Sequence, residues 1–170
     1  MKKTSFQLVS LFILLVFLQI WLFDNIHLFG FATPLFYIYF LVKLPISMNR
    51  NIVMLLSALL GFVIDIFGST LGLSMTVMTI VGFLRYYLLK LFAPRDVFDD
   101  YFPSFNTFGK FLFMRYAGIV TLIYVFLFYM MESFSLFTPG LLFLRITGSF
   151  TLTILLIFAF ECVTIDVFKK

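Results

Sequence analysis

Charge is scarce in this chain. Lys, Arg, Asp and Glu make up 12% of its 170 residues, against about 25% in a soluble domain, and the mean hydropathy is +1.13. Too few polar groups are present to cover the surface, so lipid must serve as the solvent. Cysteine occurs once, as Cys162, which excludes an intramolecular disulfide and a cysteine-based metal cluster. A small apolar residue in a helix accounts for it. The single histidine, His27, cannot anchor a histidine-rich metal site. Also lacking are a Walker loop, an HExxH pair, an ordered Ser/His/Asp set and a carboxylate pair with a general-acid partner. These absences argue against an enzyme, and no cofactor or metal is expected.

The net charge of +4 and pI near 9.3 would hint at nucleic acid in a soluble protein. Here the basic residues are spread through short segments between apolar runs, so no basic surface remains for nucleic acid. Phenylalanine is abundant, with 27 copies. Bulky apolar contact with lipid tails explains that abundance more simply than an aromatic binding surface does.

From Ile52 to Leu84 the chain runs 33 residues with one charge, Asp65. One helix of that length would measure roughly 50 Å, against a hydrocarbon core of about 30 Å. The run therefore reads as two spans meeting at the turn Gly68-Ser-Thr-Leu-Gly72. Six apolar stretches emerge along the chain, at about 6–23, 28–44, 52–67, 71–91, 111–131 and 141–160. The second and third are short and would need snorkelling flanks or a thinned bilayer. The first follows Met1-Lys-Lys but has 18 uncharged residues and no small-residue cleavage pattern after it, so it reads as a retained span and not a signal peptide.

The expected fold is all-α: one polytopic domain, 1–170, forming an integral membrane bundle of six transmembrane helices. Placing the N-terminus in the cytoplasm puts eleven of the twelve Lys and Arg residues inside and only Arg145 outside. Both termini are thus expected in the cytoplasm. The longest polar stretch, 93–110, is broken by Pro94 and Pro103. It carries Asp96, Asp99 and Asp100 with five aromatic rings (Phe98, Tyr101, Phe102, Phe105 and Phe108). An interfacial loop with rings at headgroup level is favoured over a docking patch for a cytoplasmic partner.

An acid at membrane depth is expensive, so Asp65 needs an explanation. Gly61 and Asp65 lie one helical turn apart on one face, and Gly68 and Gly72 permit a sharp reversal. These four residues are candidates for a hinge or for contact with a partner's helix. Asp65 is expected to accept hydrogen bonds from backbone N–H groups at the start of the fourth span. A proton path through Asp65 and Glu161 would need further acids at mid-depth, which are lacking. Glu161 is expected to pair with Arg85 or Arg115, and Arg145 with Asp65 or Glu132.

Several segments, in order, resemble the rod shape-determining MreD family in the form typical of Bacteroidetes-type bacteria. They are Asp24-Asn-Ile-His-Leu-Phe-Gly-Phe-Ala-Thr-Pro-Leu-Phe-Tyr-Ile-Tyr-Phe, Lys43-Leu-Pro with Asn49-Arg50-Asn51, and Gly61-x-x-x-Asp65 with Gly72. Phe83-Leu-Arg-Tyr-Tyr-Leu-Leu-Lys, Pro94-Arg-Asp and Ser133-Phe-Ser with Leu-Leu-x-Leu-Arg145 follow. The chain departs from the family where Leu71 and Tyr86 stand at positions often held by Pro, which would loosen the turn and straighten the fourth span. The resemblance implies a non-enzymatic scaffold of the cell-elongation complex in the bacterial inner membrane, supporting cell shape and peptidoglycan synthesis. It implies MreC, RodA and a class B penicillin-binding protein as partners in the membrane, with MreB on the cytoplasmic side. No small-molecule substrate is then expected. The family is also similar in fold to substrate-binding subunits of vitamin transporters, which supplies the rival reading.

Overall fold

A computed structural model describes residues 2–23, 33–68, 70, 72–92, 102–133 and 139–164, with the side chains of all but 2–6, 22, 23, 139 and 164. All secondary structure among them is helical. Helix α1 (Lys2–Leu18) continues into a π-helical turn, Gln19–Phe23. Then come α2 (Ile38–Lys43), α3 (Arg50–Gly68), α4 (Leu73–Phe92), α5 (Phe105–Phe108), α6 (Lys110–Glu132) and α7 (Pro139–Thr164). Four of these are long and apolar enough to cross a bilayer: Arg50–Gly68, Leu73–Phe92, Lys110–Glu132 and Gly140–Val163. The chain is therefore a helical membrane protein. The apolar part of α1, Gln7–Trp21, is shorter.

The expected second span, 28–44, takes another form in its described part. Residues 33–37 are not helical, and α2 has six residues, about 9 Å of helix. Two prolines bracket the segment. Pro34 offers no N–H, and Leu44, just before Pro45, adopts φ −57° and ψ 146°, the extended conformation that a following proline imposes. Yet every residue from Leu35 to Leu44 is buried, none more than 7% exposed. The segment is a broken thread through the middle of the bundle.

Around this thread, α6 presents a broad apolar stripe. Phe113, Tyr116, Ala117, Val120, Thr121, Tyr124, Val125, Phe128 and Tyr129 are buried, the 3–4 spacing of one helix face. Helix α7 differs: its fully buried positions are Ser149, Thr153, Ile157 and Glu161, each one turn from the next. A helix of mostly lipid-facing character thus turns a narrow and largely polar ladder inward.

Helices α3 and α4 form an antiparallel hairpin with the most extensive helix–helix contact in the bundle. A Cβ on Gly61 would lie 2.6 Å from Met75 Cα and 2.7 Å from Ser74 O. Near the middle of the hairpin, a Cβ on Gly82 would lie 2.8 Å from Ser57 Oγ. At its open end the Arg50 guanidinium stacks 3.6 Å from the Phe83 ring centroid, a cation–π contact. Gly72 begins the return at φ +74°, which L-residues with a Cβ rarely adopt. Helix α4 runs unbroken through Tyr86.

The Gly61 contact meets backbone, which cannot rotate away, whereas the Gly82 contact meets a hydroxyl that can. Gly61→Ala will therefore lower the unfolding midpoint in detergent, at a cost of about 1–3 kcal/mol from overpacking. Gly82→Ala will lose less under the same conditions.

Candidate functional site

The central thread would be intolerable in lipid without partners, because a non-helical backbone leaves N–H and C=O groups open. Side chains from three helices close them. Ser149 Oγ accepts from Thr33 N at 3.1 Å, and Thr153 Oγ1 accepts from Leu35 N at 3.1 Å. Gln19, in the π-helical turn, spans two groups: its Nε2 donates to Pro34 O and its Oε1 accepts from Phe36 N, each at 3.1 Å. At the far end of the thread, Arg85 Nη2 donates to Leu44 O. Nothing in composition singled out Gln19, Ser149 or Thr153. The usable signals were a glutamine deep in an apolar run and hydroxyls repeating every four residues in α7.

Two polar centres lie at opposite ends of the bundle. One joins the thread to α7: Lys43 Nζ meets Glu161 Oε1 at 2.8 Å and Oε2 at 2.9 Å, and Tyr39 OH donates to Glu161 Oε2 at 2.5 Å. Phe105 N, at the start of α5, also donates to Glu161 Oε1, at 3.3 Å. This partner set corrects the expected pairing of Glu161 with Arg85 or Arg115. Lys43 lies on the thread that α7 flanks. Arg85 gives its Nη2 to the Leu44 carbonyl while its buried Nε has no hydrogen-bond partner among the described residues, and Arg115 is exposed over the Phe111 ring at 4.3 Å. Among the described residues the salt bridge is Lys43–Glu161.

Phe105 and Phe108, two of the rings expected to sit among lipid headgroups, turn into the protein instead. They are 5% and 6% exposed, with Phe105 edge-on to Phe113 at 5.2 Å. Ser104 caps α5 by accepting from Thr107 N while Thr107 Oγ1 accepts from Ser104 N, a reciprocal cap that folds these rings back onto the core. Asp96, Asp99 and Asp100, the expected docking carboxylates, lie outside the described residues.

The second centre closes the α3–α4 hairpin. Asp65 Oδ1 accepts from Ser74 N at 3.0 Å and from Thr70 Oγ1 at 2.5 Å, and Oδ2 accepts from Met75 N at 2.9 Å. The carboxylate thus satisfies two of the open N–H groups in the first turn of α4, where the helix dipole also favours an anion. Gly61 and Asp65 were candidates for a hinge or for a partner's helix. Their faces are occupied by α4 itself, and Asp65 is 6% exposed. Gly68 is exposed beside the turn. Asp65 and Glu161 sit at different ends and share no hydrogen-bond partner among the described residues.

At the Asp65 end the bundle has a half-open cavity of about 500 Å³, with Glu132 exposed at it and Arg145 half-buried. The thread contributes Thr33, Leu35 and Tyr37 to its wall, and the helix ends contribute Glu132 and Arg145. Many of its hydroxyls bond one another. Tyr129 OH contacts Thr33 Oγ1 at 3.0 Å and Ser149 Oγ at 2.7 Å, and Tyr37 OH reaches both Tyr124 OH and Ser74 Oγ. Arg145 was expected to meet Asp65 or Glu132. Asp65 is taken by the hairpin, and Arg145 shares the cavity with Glu132 without a salt bridge between them.

No family model matches the chain, and neither a curated protein nor a solved structure does. The likeness to the MreD family therefore rests on the residues quoted above. Among the described residues no group of three or more His, Cys, Asp or Glu could hold a metal ion.

Removing one member of a buried ion pair costs about 3–5 kcal/mol, because the other is left charged and alone. Glu161→Ala will destabilise the protein by that order in detergent unfolding. Adding Lys43→Met to it will recover part of the loss. An additive double variant would show that the pair is not coupled.

Proposed function

We propose that this chain is a non-enzymatic scaffold of the bacterial inner membrane, an MreD-type subunit of the cell-elongation complex. It holds partner helices and leaves peptidoglycan synthesis to them. In this reading the thread counts as the second of six crossings, and the positive-inside bias places both termini in the cytoplasm. The supporting observation is how polarity is divided. Asp65, Arg85, Lys43 and Glu161 are buried and engaged within the chain. The outward faces carry large apolar side chains such as Leu55, Phe62, Phe143 and Leu155.

Helix α7 has the most such surface, since only 17% of its spanning window is buried, against 44% for α6. Association in lipid relies on shape, small residues and a few hydrogen bonds, so a poorly covered helix is a natural seat for a partner's span. The partners named by the resemblance (MreC, RodA, a class B penicillin-binding protein and MreB) belong to this proposal. With Gly61 and Asp65 consumed in the hairpin, α7 replaces them as the expected contact face.

The cavity favours a second reading, a substrate-binding subunit of a small-molecule transporter of the vitamin type, where sites form between helices near broken segments. Affinity purification in mild detergent with mass spectrometry separates the two. The scaffold reading expects wall-synthesis proteins to come down, and bulky substitutions on α7 such as Leu155→Trp to reduce their recovery several-fold. Recovery of an ATP-binding transport cassette instead would overturn it. A C-terminal reporter active only on the periplasmic side would overturn the topology.

A further inference from the structure

We infer that the cavity at the Asp65 end binds a small zwitterion, a molecule carrying both an ammonium group and an anionic oxygen group. The inference stands on the cavity and does not depend on whether the chain scaffolds or transports. It departs from the expectation that no small molecule is bound.

Three observations carry it. First, the volume of about 500 Å³ falls within the range of small-molecule sites, about 300–1,000 Å³. Second, the neutral polar groups of the wall are largely engaged in hydrogen bonds of their own. Gln19 holds Pro34 and Phe36, Thr70 holds Asp65, and Tyr129 holds Thr33 and Ser149. A ligand would meet a preorganised frame, which limits the ordering cost of binding.

Third, the two charged residues of the wall have opposite signs and do not neutralise each other. Arg145 and Glu132 both line the cavity, with no salt bridge between them. Glu132 is also the last residue of α6, where the helix dipole adds negative potential and favours an ammonium group. Arg145 offers planar, bidentate donors suited to a carboxylate or a phosphate. Ile64, Phe67 and Phe128 complete the wall with apolar surface suited to a ligand's carbon skeleton.

This chemistry has two sources. One is a free metabolite of amino-acid type. The other is the headgroup of phosphatidylethanolamine, entering from the bilayer in which the helices stand.

The experiment uses the full chain, delipidated in detergent or placed in nanodiscs. Phosphoethanolamine, L-alanine and inorganic phosphate are titrated by calorimetry. Phosphatidylethanolamine and phosphatidylglycerol are compared by native mass spectrometry of lipid retained from mixed nanodiscs. Binding of phosphoethanolamine or L-alanine, weakened at least tenfold by Arg145→Gln and by Glu132→Gln, supports the proposal with a free ligand. Retention of phosphatidylethanolamine over phosphatidylglycerol, reduced at least fivefold by the same substitutions, supports it with a lipid headgroup.

Should either variant fold poorly, Arg145→Lys and Glu132→Asp replace them. Each keeps its charge and is expected to retain binding within a few-fold, while the charge-reversed Arg145→Glu alone abolishes it. Three results would overturn the proposal: no binding in any arm, binding indifferent to these substitutions, or inorganic phosphate and phosphatidylglycerol binding as well as the zwitterions.

Discussion

A membrane interior offers no water to an open backbone, and this fold places a broken backbone at its centre. The segment 33–44 survives there because Ser149, Thr153, Gln19 and Arg85 supply the hydrogen bonds that a regular helix would have made for itself. That requirement fixes the rotation of α7, whose inward ladder must align Ser149 and Thr153 with Thr33 and Leu35, and Glu161 with Tyr39 and Lys43. It also places the π-helical turn, since Gln19 must reach two successive backbone groups of the thread. Much of the packing of α6 then follows, because its aromatic stripe fills the remaining space against a thread buried from Pro34 to Leu44.

The same requirement governs the charges. A cation and an anion are tolerated at depth when each finds an opposite charge or a dipole. Lys43 and Arg85 both stand at the C-terminal end of the thread. One is answered by Glu161 and the other by a carbonyl. Asp65 is answered by the opening turn of α4. With these groups turned inward and engaged, large apolar side chains such as Leu55, Phe62, Phe143 and Leu155 dominate the exposed faces of the long helices. The cavity is the exception, the one described place where Arg145 and Glu132 face a shared space without meeting.

The resemblance noted in the sequence and the architecture bear on each other through particular residues. Lys43-Leu-Pro, quoted for that resemblance, is the point where α2 ends, Glu161 is met and Arg85 is received. Gly61-x-x-x-Asp65 is the contact and the cap of the α3–α4 hairpin. Such segments serve the internal construction of the bundle, so their order in the chain reflects a fold as much as a partnership.

The amino-acid sequence alone pointed to a helical membrane protein. Four of its six expected spans are long helices in the structure, and the expected hairpin at Gly61–Gly72 is present, because hydropathy over about twenty residues and glycine at a turn are local properties. It also identified Asp65 as an acceptor for the start of the next helix, since the acid and the turn lie within ten residues. Only the tertiary structure decided that 33–44 is a buried thread, that Lys43 and not an arginine meets Glu161, and that Arg145 and Glu132 frame a cavity. Lys43 and Glu161 are 118 residues apart, and their meeting depends on the rotation of α7 about its axis. Hydroxyls recur on two faces of α7, Thr147 with Thr151 and Ser149 with Thr153, and nothing local selects which pair turns inward; that is set by the backbone groups it must satisfy.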